Sequence, residues 1–234
     1  MFLKLPEVKT MINYTLTRSV RKTIALHVRE GSIEVRAPLK SPKYIIDKFV
    51  LSKEKWIEDK LLYFSDRAKH RANFHLNYGD YILYRGRTYP IENKYADFTG
   101  FENGKFYLPS NLTSEEIKEA CAKLYRSLAK QEIVSRTKHF AEQMSVTPTS
   151  VRVNGAKTRW GSCSSKKSLN FSWRLIMADD DLIDYVVVHE LAHLSEMNHS
   201  DRFWSIVESV LPDYRLRKER LKELHLSMGD EAWD

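Results

Sequence analysis

The 234-residue sequence has few of the features that build disulfide frameworks, flexible tethers or membrane spans. It has two cysteines, Cys121 and Cys163, and neither lies in a spacing typical of a zinc ribbon or a redox pair. No apolar run approaches the roughly 20 residues that cross a bilayer. The start of the chain, Met1 to Lys9, has charges and a proline where a secretory signal needs an apolar core. We therefore expect a folded, cytoplasmic protein with no membrane contact.

Repeats, low-complexity tracts and Gly/Ser-rich linkers are also missing, which argues against a solenoid or loosely tethered domains. Hydrophobic residues make up 42% and charged residues 29%, which excludes disordered and fibrous classes. The net charge of +7 would suit an anionic partner such as a nucleic acid, a nucleotide or an acidic peptide. Basic and acidic residues nevertheless alternate, as in Lys53-Glu54-Lys55, which is typical of solvated helix faces. A nucleic-acid or nucleotide partner therefore stays an alternative.

The first part of the chain, residues 1–112, is predicted to be rich in β-strands. Strand-forming segments flank Gly31 and the Arg85-Gly86 pair, and turn residues mark hairpins at both points. Between them, Ser41-Pro42 resembles a helix start, and apolar residues at helical spacing predict one helix to about Asp66.

The second part, residues 113–234, is predicted to begin with a long helix from Ser114 that ends before Pro148. Short strands near residues 150–153 and 169–173 follow, and two further helices close the chain. The whole is an α+β protein with a tight joint near residues 109–114.

The segment from Leu182 to Leu194 is apolar on nearly every side except at Asp184 and at His189, Glu190 and His193. His189 and His193 are four residues apart, so their rings leave one helix face and can ligate one metal ion. Glu190 stands beside that face, where its carboxylate can accept a proton from a zinc-activated water. The His-Glu-x-x-His spacing thus predicts a zinc hydrolase with Glu190 as its general base.

A third imidazole, His199, strengthens this prediction, because three histidines leave one tetrahedral position open for catalysis. We expect the helix to end near Met197, with Asn198 in a left-handed conformation that turns His199 back. Phe203 and Trp204 are expected to pack under the site. Glu196 is interpreted as a surface acid or a hydrogen-bond partner of a ligand histidine, and not as a fourth ligand.

A candidate substrate rim is formed by Arg159, Trp160 and Tyr214, the first two in the segment Arg159-Trp160-Gly161-Ser162-Cys163. A tight turn with a packed tryptophan explains the same segment nearly as well. Tyr214 and His225 are further candidates for transition-state donors, although a structural role suits each. Cys163 could act as a nucleophile paired with a histidine, but the three-histidine pattern would then have no purpose.

Together these motifs resemble the YgjP-like zinc metallopeptidases, which are related to the SprT/WLM group of the gluzincin-like clan. The resemblance covers nearly the whole chain and is most specific in three segments: Thr158 to Ser164, Phe171 to Leu175, and Tyr185 to Leu194 with Asn198-His199-Ser200. It implies a minigluzincin-like core with an active-site helix and a small sheet, zinc on His189, His193 and His199, and a catalytic Glu190. Metzincins share the third-histidine spacing, but Glu196 occupies their glycine position.

The function predicted from the sequence is therefore zinc-dependent cleavage of a peptide or protein substrate. One alternative keeps the metal and changes the substrate to nucleotides or other phosphorylated compounds, a pyrophosphatase-like activity motivated by the basic residues around Arg159. The other alternative is a non-catalytic, zinc-stabilised module that binds DNA or protein.

Overall fold

The computed structural model describes residues 12–94, 98–228 and 233, and these form two compact units that divide at Phe74 and His75. The predicted boundary between residues 112 and 113 falls inside the second unit. Strands that the sequence analysis assigned to the N-terminal region thus belong with the long helix that follows them. The start of the chain, Met1 to Lys9, on which the prediction about secretion rests, lies outside the described residues.

The first unit packs a three-stranded sheet against two helices. Its strands are β1 (Thr15–Ser19), β2 (Ala25–Arg29) and β3 (Ser32–Pro38), and its helices are α1 (Lys43–Leu51) and α2 (Glu54–Ala72). The sheet order is β1-β3-β2, with β3 parallel to β1 and antiparallel to β2. Residues from the sheet and both helices fill the core, among them Val35, Ile46 and Ile57, which are at most 1% exposed. The predicted hairpin at Gly31 is confirmed, whereas β1 was not predicted.

The single helix predicted from Ser41 to about Asp66 is wrong, because the chain breaks at Ser52 and Lys53. The Ser52 hydroxyl donates to the carbonyl of Phe49 at 2.7 Å, and the amide of Lys53 bonds the carbonyl three residues back at 3.0 Å. A serine side chain that binds local backbone competes with helix propagation. Pro42, and not Ser41, occupies the N-cap position of α1.

The second unit contains two small sheets. The first has the order β4-β5-β7-β6, and the second has the order β8-β10-β9. Their strands are β4 (Tyr81–Tyr84), β5 (Arg87–Lys94), β6 (Gly100–Glu102), β7 (Lys105–Pro109), β8 (Ser150–Asn154), β9 (Gly161–Cys163) and β10 (Ser168–Ser172). The predicted hairpin at Arg85-Gly86 is confirmed, and both residues have positive φ, as a two-residue turn of this kind requires.

Four α-helices complete the described part of the second unit, and a 3-10 turn at Trp173–Met177 precedes the second of them. They are α3 (Ser114–Gln143), α4 (Asp180–Ala192), α5 (Asp201–Val210) and α6 (Tyr214–Ser227). A capping box between Thr113 and Glu116 begins α3, the long helix expected from the sequence. As predicted, α4 is largely buried, and it packs against α3, α5, α6 and β9.

Arginines bind the acidic start of α4 from three directions. Arg85, in the β4–β5 turn, donates two hydrogen bonds to Asp180 at 2.7 and 2.8 Å. Arg136 on α3 bonds Asp180 at 2.8 Å and Asp184 at 2.6 Å, and Arg220 on α6 bonds Asp179 and Asp181. The acids thus have defined partners as well as a favourable position at a helix N-terminus. These ion pairs fix the position of α4 relative to its neighbours.

The described residues confirm a mixed α+β fold built from small sheets and helices. Within the described ranges, no helix combines the length and the apolar character needed to cross a bilayer.

Candidate metal centre

Helix α4 carries His189 and Glu190 in its last turn, and His193 is the first residue after it. Because the chain is still helical in geometry at His193, the rings of His189 and His193 project from one face, with centroids 5.0 Å apart. Their juxtaposition was predicted from the four-residue spacing.

His199 comes from the connection between α4 and α5, by a route that differs from the predicted one. Helix α4 ends at Ala192 and not near Met197, and Asn198 is not among the described residues with positive φ. The amides of Leu194 and Ser195 bond carbonyls three residues back, at 3.0 and 3.1 Å, so the helix tightens into turns before it ends. These turns direct the chain back past the face that carries the other two imidazoles.

The three imidazoles converge on one point. One ring nitrogen from each lies within 4.8 Å of the others, and the Nε2 atoms of His189 and His199 are 3.1 Å apart. Two nitrogens on one tetrahedral zinc ion, each at about 2.05 Å, would be separated by about 3.3 Å. His193 directs its Nδ1–H to the carbonyl of Glu196 at 3.1 Å, which leaves its Nε2 lone pair free for a ligand. The geometry fits a metal ion.

The electrostatic environment also keeps the histidine rings in the neutral form that binds a cation. Burial and the charges of His193, His199 and Lys218 lower the pKa of His189 to about 3, so its ring is neutral near pH 7. Burial and the charges of His193 and Lys218 also lower the pKa of His199. The Nδ1 atom of His189 is buried and has no hydrogen-bond partner among the described residues. Neutral rings are the form that binds a metal, and a bound ion would compensate this costly arrangement of polar atoms.

Aromatic residues of α5 support all three histidines, as the sequence analysis predicted. The ring of Phe203 is fully buried and lies 4.9, 4.5 and 4.8 Å from the centroids of His189, His193 and His199. Trp204 stacks on His199 at 5.6 Å, with 25° between the ring planes. The side chain of Ser200 accepts a hydrogen bond from the Phe203 amide and so caps α5 directly after His199.

Residues 22–224 match the YgjP-like, metallopeptidase domain family, a range that covers most of the chain. The chain belongs to the YgjP-like metallopeptidase family. It is a metal-dependent peptidase by this membership. No curated protein matches the chain.

Two solved metallopeptidase zymogens are similar to part of this YgjP-like chain. Abylysin of Pyrococcus abyssi is 22% identical, with a TM-score of 0.36, and the match covers 38% of this chain and 90% of abylysin. Jannalysin of Methanocaldococcus jannaschii is 20% identical, with a TM-score of 0.35, and the match covers 39% of this chain and 93% of jannalysin.

Glu190, which the sequence analysis predicted as the base, is 6% exposed beside the histidines. Burial raises the pKa of its carboxyl to about 7, while the charge of Arg159 opposes this rise. A carboxyl that titrates near neutral pH can both accept and donate a proton under those conditions.

The residues predicted to form a substrate rim in this YgjP-like peptidase differ in their exposure and in their contacts with the site. Arg159 is exposed and lies close enough to Glu190 for its charge to lower the pKa of that carboxyl. Trp160 is half-buried, and its ring meets His225 edge-on at 5.7 Å. Tyr214 is 5% exposed and stacks on Trp204 at 5.2 Å, so it reaches the histidines through that tryptophan.

Cys163 lies on β9, on the same side of the site as Glu190. Burial and the charge of Glu190 raise the pKa of the Cys163 thiol, which keeps it protonated at neutral pH. Both cysteines are free thiols. The environment therefore disfavours the cysteine hydrolase that the sequence analysis considered.

Lys218 was not predicted from the sequence, and Gly161 was predicted only as part of the rim segment. Lys218 places its ammonium 4.7 Å from the centre of the Trp204 ring, and its charge contributes to the lowered pKa values of His189 and His199. The sequence could have indicated Lys218, because it lies one helical turn after the candidate residue Tyr214. Gly161 lies against Glu190, and its signal was a glycine in a segment predicted to bring the backbone close to a ligand.

Proposed function

We propose that the chain is a zinc-dependent peptidase in which His189, His193 and His199 bind the ion and Glu190 is the general base. The observation that carries the proposal is the convergence of three imidazoles beside one buried carboxylate. Three neutral nitrogen ligands leave one tetrahedral position available, which is typical of catalytic zinc sites. When bound, zinc supplies a Lewis acid that acidifies water and polarises a carbonyl group.

Glu190 would handle the proton. Its carboxylate would accept the proton of the attacking water and then deliver it to the leaving amine of the peptide. The pKa of about 7, which results from burial, suits a group that must act in both directions near neutral pH. A cytoplasmic location remains part of this proposal.

The charge distribution favours a peptide over a phosphorylated substrate. Residues 1–74 contain 16 Lys or Arg and 8 Asp or Glu, a net charge of +8. Residues 75–234, which contain the histidines, have 22 Lys or Arg and 23 Asp or Glu, a net charge of −1. The basic character of the chain therefore does not belong to the segment that carries the site, and it gives no support to a polyanionic substrate there.

The test uses the full chain without a histidine tag, in wild-type, His199→Ala and Glu190→Gln forms. Each is assayed for zinc by elemental analysis and for cleavage of denatured, fluorescein-labelled casein. We expect about one zinc ion per chain in wild type and Glu190→Gln, and much weaker binding in His199→Ala. Cleavage by Glu190→Gln should fall by about 100-fold to 10,000-fold, because that variant lacks the base.

Three outcomes would contradict the proposal. Full casein cleavage by Glu190→Gln would remove Glu190 from the mechanism. Zinc binding without casein cleavage, together with hydrolysis of a nucleoside triphosphate, would favour the phosphorylated-substrate alternative. Metal binding with neither activity would favour the binding module.

A further inference from the structure

Strand β9 approaches the side chain of Glu190 more closely than any residue with a Cβ would allow. A methyl group built on Gly161 would lie 2.6 Å from both Cγ and Oε1 of Glu190, and 2.8 Å from its Cδ. Carbon atoms in contact are normally separated by about 3.5 to 4.0 Å. The bare backbone of Gly161 therefore forms one wall of the space that the carboxylate occupies.

The glycine is required here for space and not for backbone conformation. Four other glycines, Gly31, Gly79, Gly86 and Gly104, have the positive φ that excludes most residues, but Gly161 does not. Alanine could thus adopt the backbone conformation of residue 161 without strain. The three atoms nearest to its methyl group would all belong to the side chain of Glu190.

Strand β9 cannot easily move away from such a methyl group. Gly161 pairs with Phe171 on β10, and Phe171 is fully buried. The amide of Ser172 bonds the carbonyl of Trp160 at 2.8 Å, which fixes the chain directly before β9. On the other side, the α4 residues Val187 and Leu191 are also fully buried. Because both backbones are packed, the side-chain torsions of Glu190 would change more easily than the position of either backbone.

We propose that Gly161 is a positioning residue that sets the side-chain conformation of Glu190. This inference rests on the proposed function, because it assigns the position of the carboxylate that would act as the base. A misplacement of about 1 Å in a catalytic group can reduce turnover by about 100-fold. Gly161 would thus act through Glu190, without contacting the substrate or the metal.

The first experiment measures casein cleavage and zinc content of Gly161→Ala. We expect about one zinc ion per chain, an unchanged KM and a kcat about 100-fold below wild type, since the methyl group displaces the carboxylate and leaves the histidines in place.

A second experiment does not depend on activity. Urea unfolding is measured for wild type, Gly161→Ala, Glu190→Ala and the double variant. Gly161→Ala should lower the unfolding midpoint in wild type but leave it unchanged in Glu190→Ala, where the clashing atoms are gone. This cycle also decides the question if Gly161→Ala alone folds poorly, because the double variant should then recover the midpoint of Glu190→Ala.

Each result bears on one of the two proposals. Equal losses of stability in the wild-type and Glu190→Ala backgrounds would overturn the role of Gly161. An unchanged kcat in Gly161→Ala would overturn it as well. Full activity of Glu190→Gln, by contrast, would defeat the proposed function even if the stability cycle showed coupling between Gly161 and Glu190.

Discussion

The ring of Phe203 lies 4.5 Å from the imidazole of His193, centroid to centroid, with 31° between the two planes. The same phenyl ring also contacts His189 and His199, so one fully buried side chain supports all three candidate ligands. Packing of this kind restricts the rotamers of the histidines before any ion binds, which lowers the entropic cost of forming the site.

Replacing Phe203 by alanine should affect both stability and metal binding. The lost contacts and the resulting cavity should cost about 3 to 5 kcal/mol of unfolding free energy. Zinc affinity should fall by about 10-fold to 100-fold, because the rings lose the surface that orients them. Urea unfolding of the metal-free protein and competition with a chelating dye measure the two effects. Leu226→Ala, which shortens a side chain that is 59% exposed, is the control and should change neither quantity appreciably.

Removal of the metal should lower the melting temperature of wild type. An ion that binds only the folded chain stabilises it by about 2.7 kcal/mol when its free concentration is 100 times its dissociation constant. A chelator should therefore shift thermal unfolding of wild type downwards, and added zinc should restore it. In His199→Ala the chelator should have little effect. If the chelator left the melting temperature of both proteins unchanged, the result would contradict metal binding at the histidines.

Arg136 should be a major contributor to stability, although it lies outside the metal centre. Its side chain is 15% exposed, and its guanidinium bonds Glu132, Asp180 and Asp184 at 2.6 to 2.8 Å. Replacement by methionine would leave the half-buried Asp184 without this cation, while Asp180 and Glu132 would keep Arg85. The substitution should cost about 2 to 3 kcal/mol. Lys130→Met, on an exposed part of the same helix, should change the unfolding free energy by less than about 0.5 kcal/mol. Comparable effects of both substitutions would show that the Arg136 ion pairs contribute little.

The ion pairs at the start of α4 should make stability depend on acid pH. Hydrogen bonds from Arg85, together with the charges of Arg136 and Arg85, hold the pKa of Asp180 below its ordinary value of 3.8. Since the folded-state pKa lies below the unfolded-state pKa, the ionised carboxylate stabilises the fold above the unfolded value. That stabilisation is lost as the pH falls through the folded-state value.

Asp180→Asn should therefore be less stable than wild type near pH 7, and the difference should shrink below about pH 4. Urea unfolding of both proteins between about pH 3 and pH 7 gives this difference directly. A difference that stays constant over the whole range would contradict a contribution from the ionisation of Asp180.

The parts of the site that follow from helix periodicity could be predicted from the sequence. His189 and His193 share a face because residues four apart always do so in a helix, whatever surrounds it. The convergence of His199 was also predicted, but not its route, because the end of α4 depends on several competing backbone bonds beyond Ala192. Local preference alone does not decide among such turns.

The short strands illustrate what the sequence could not show. Strand β9 has three residues, Gly161–Cys163, too few for a periodic pattern, and it exists through pairing with β10. Strand β1 pairs in parallel with β3, a non-local contact that leaves no turn signal between the two segments. Similarly, the break between α1 and α2 depends on one hydroxyl, that of Ser52, within an otherwise helical pattern.

The three histidines are held by elements of unequal rigidity, and this has a kinetic consequence. His189 and His193 belong to α4 and its last turn, whose start is bound by Arg85, Arg136 and Arg220. His199 belongs to the irregular connection before α5 and is exposed. Such connections open locally at a lower free energy than packed helices do. A bound ion should therefore be released after His199 swings away, so its residence time would follow the fluctuations of this connection and not the global unfolding rate.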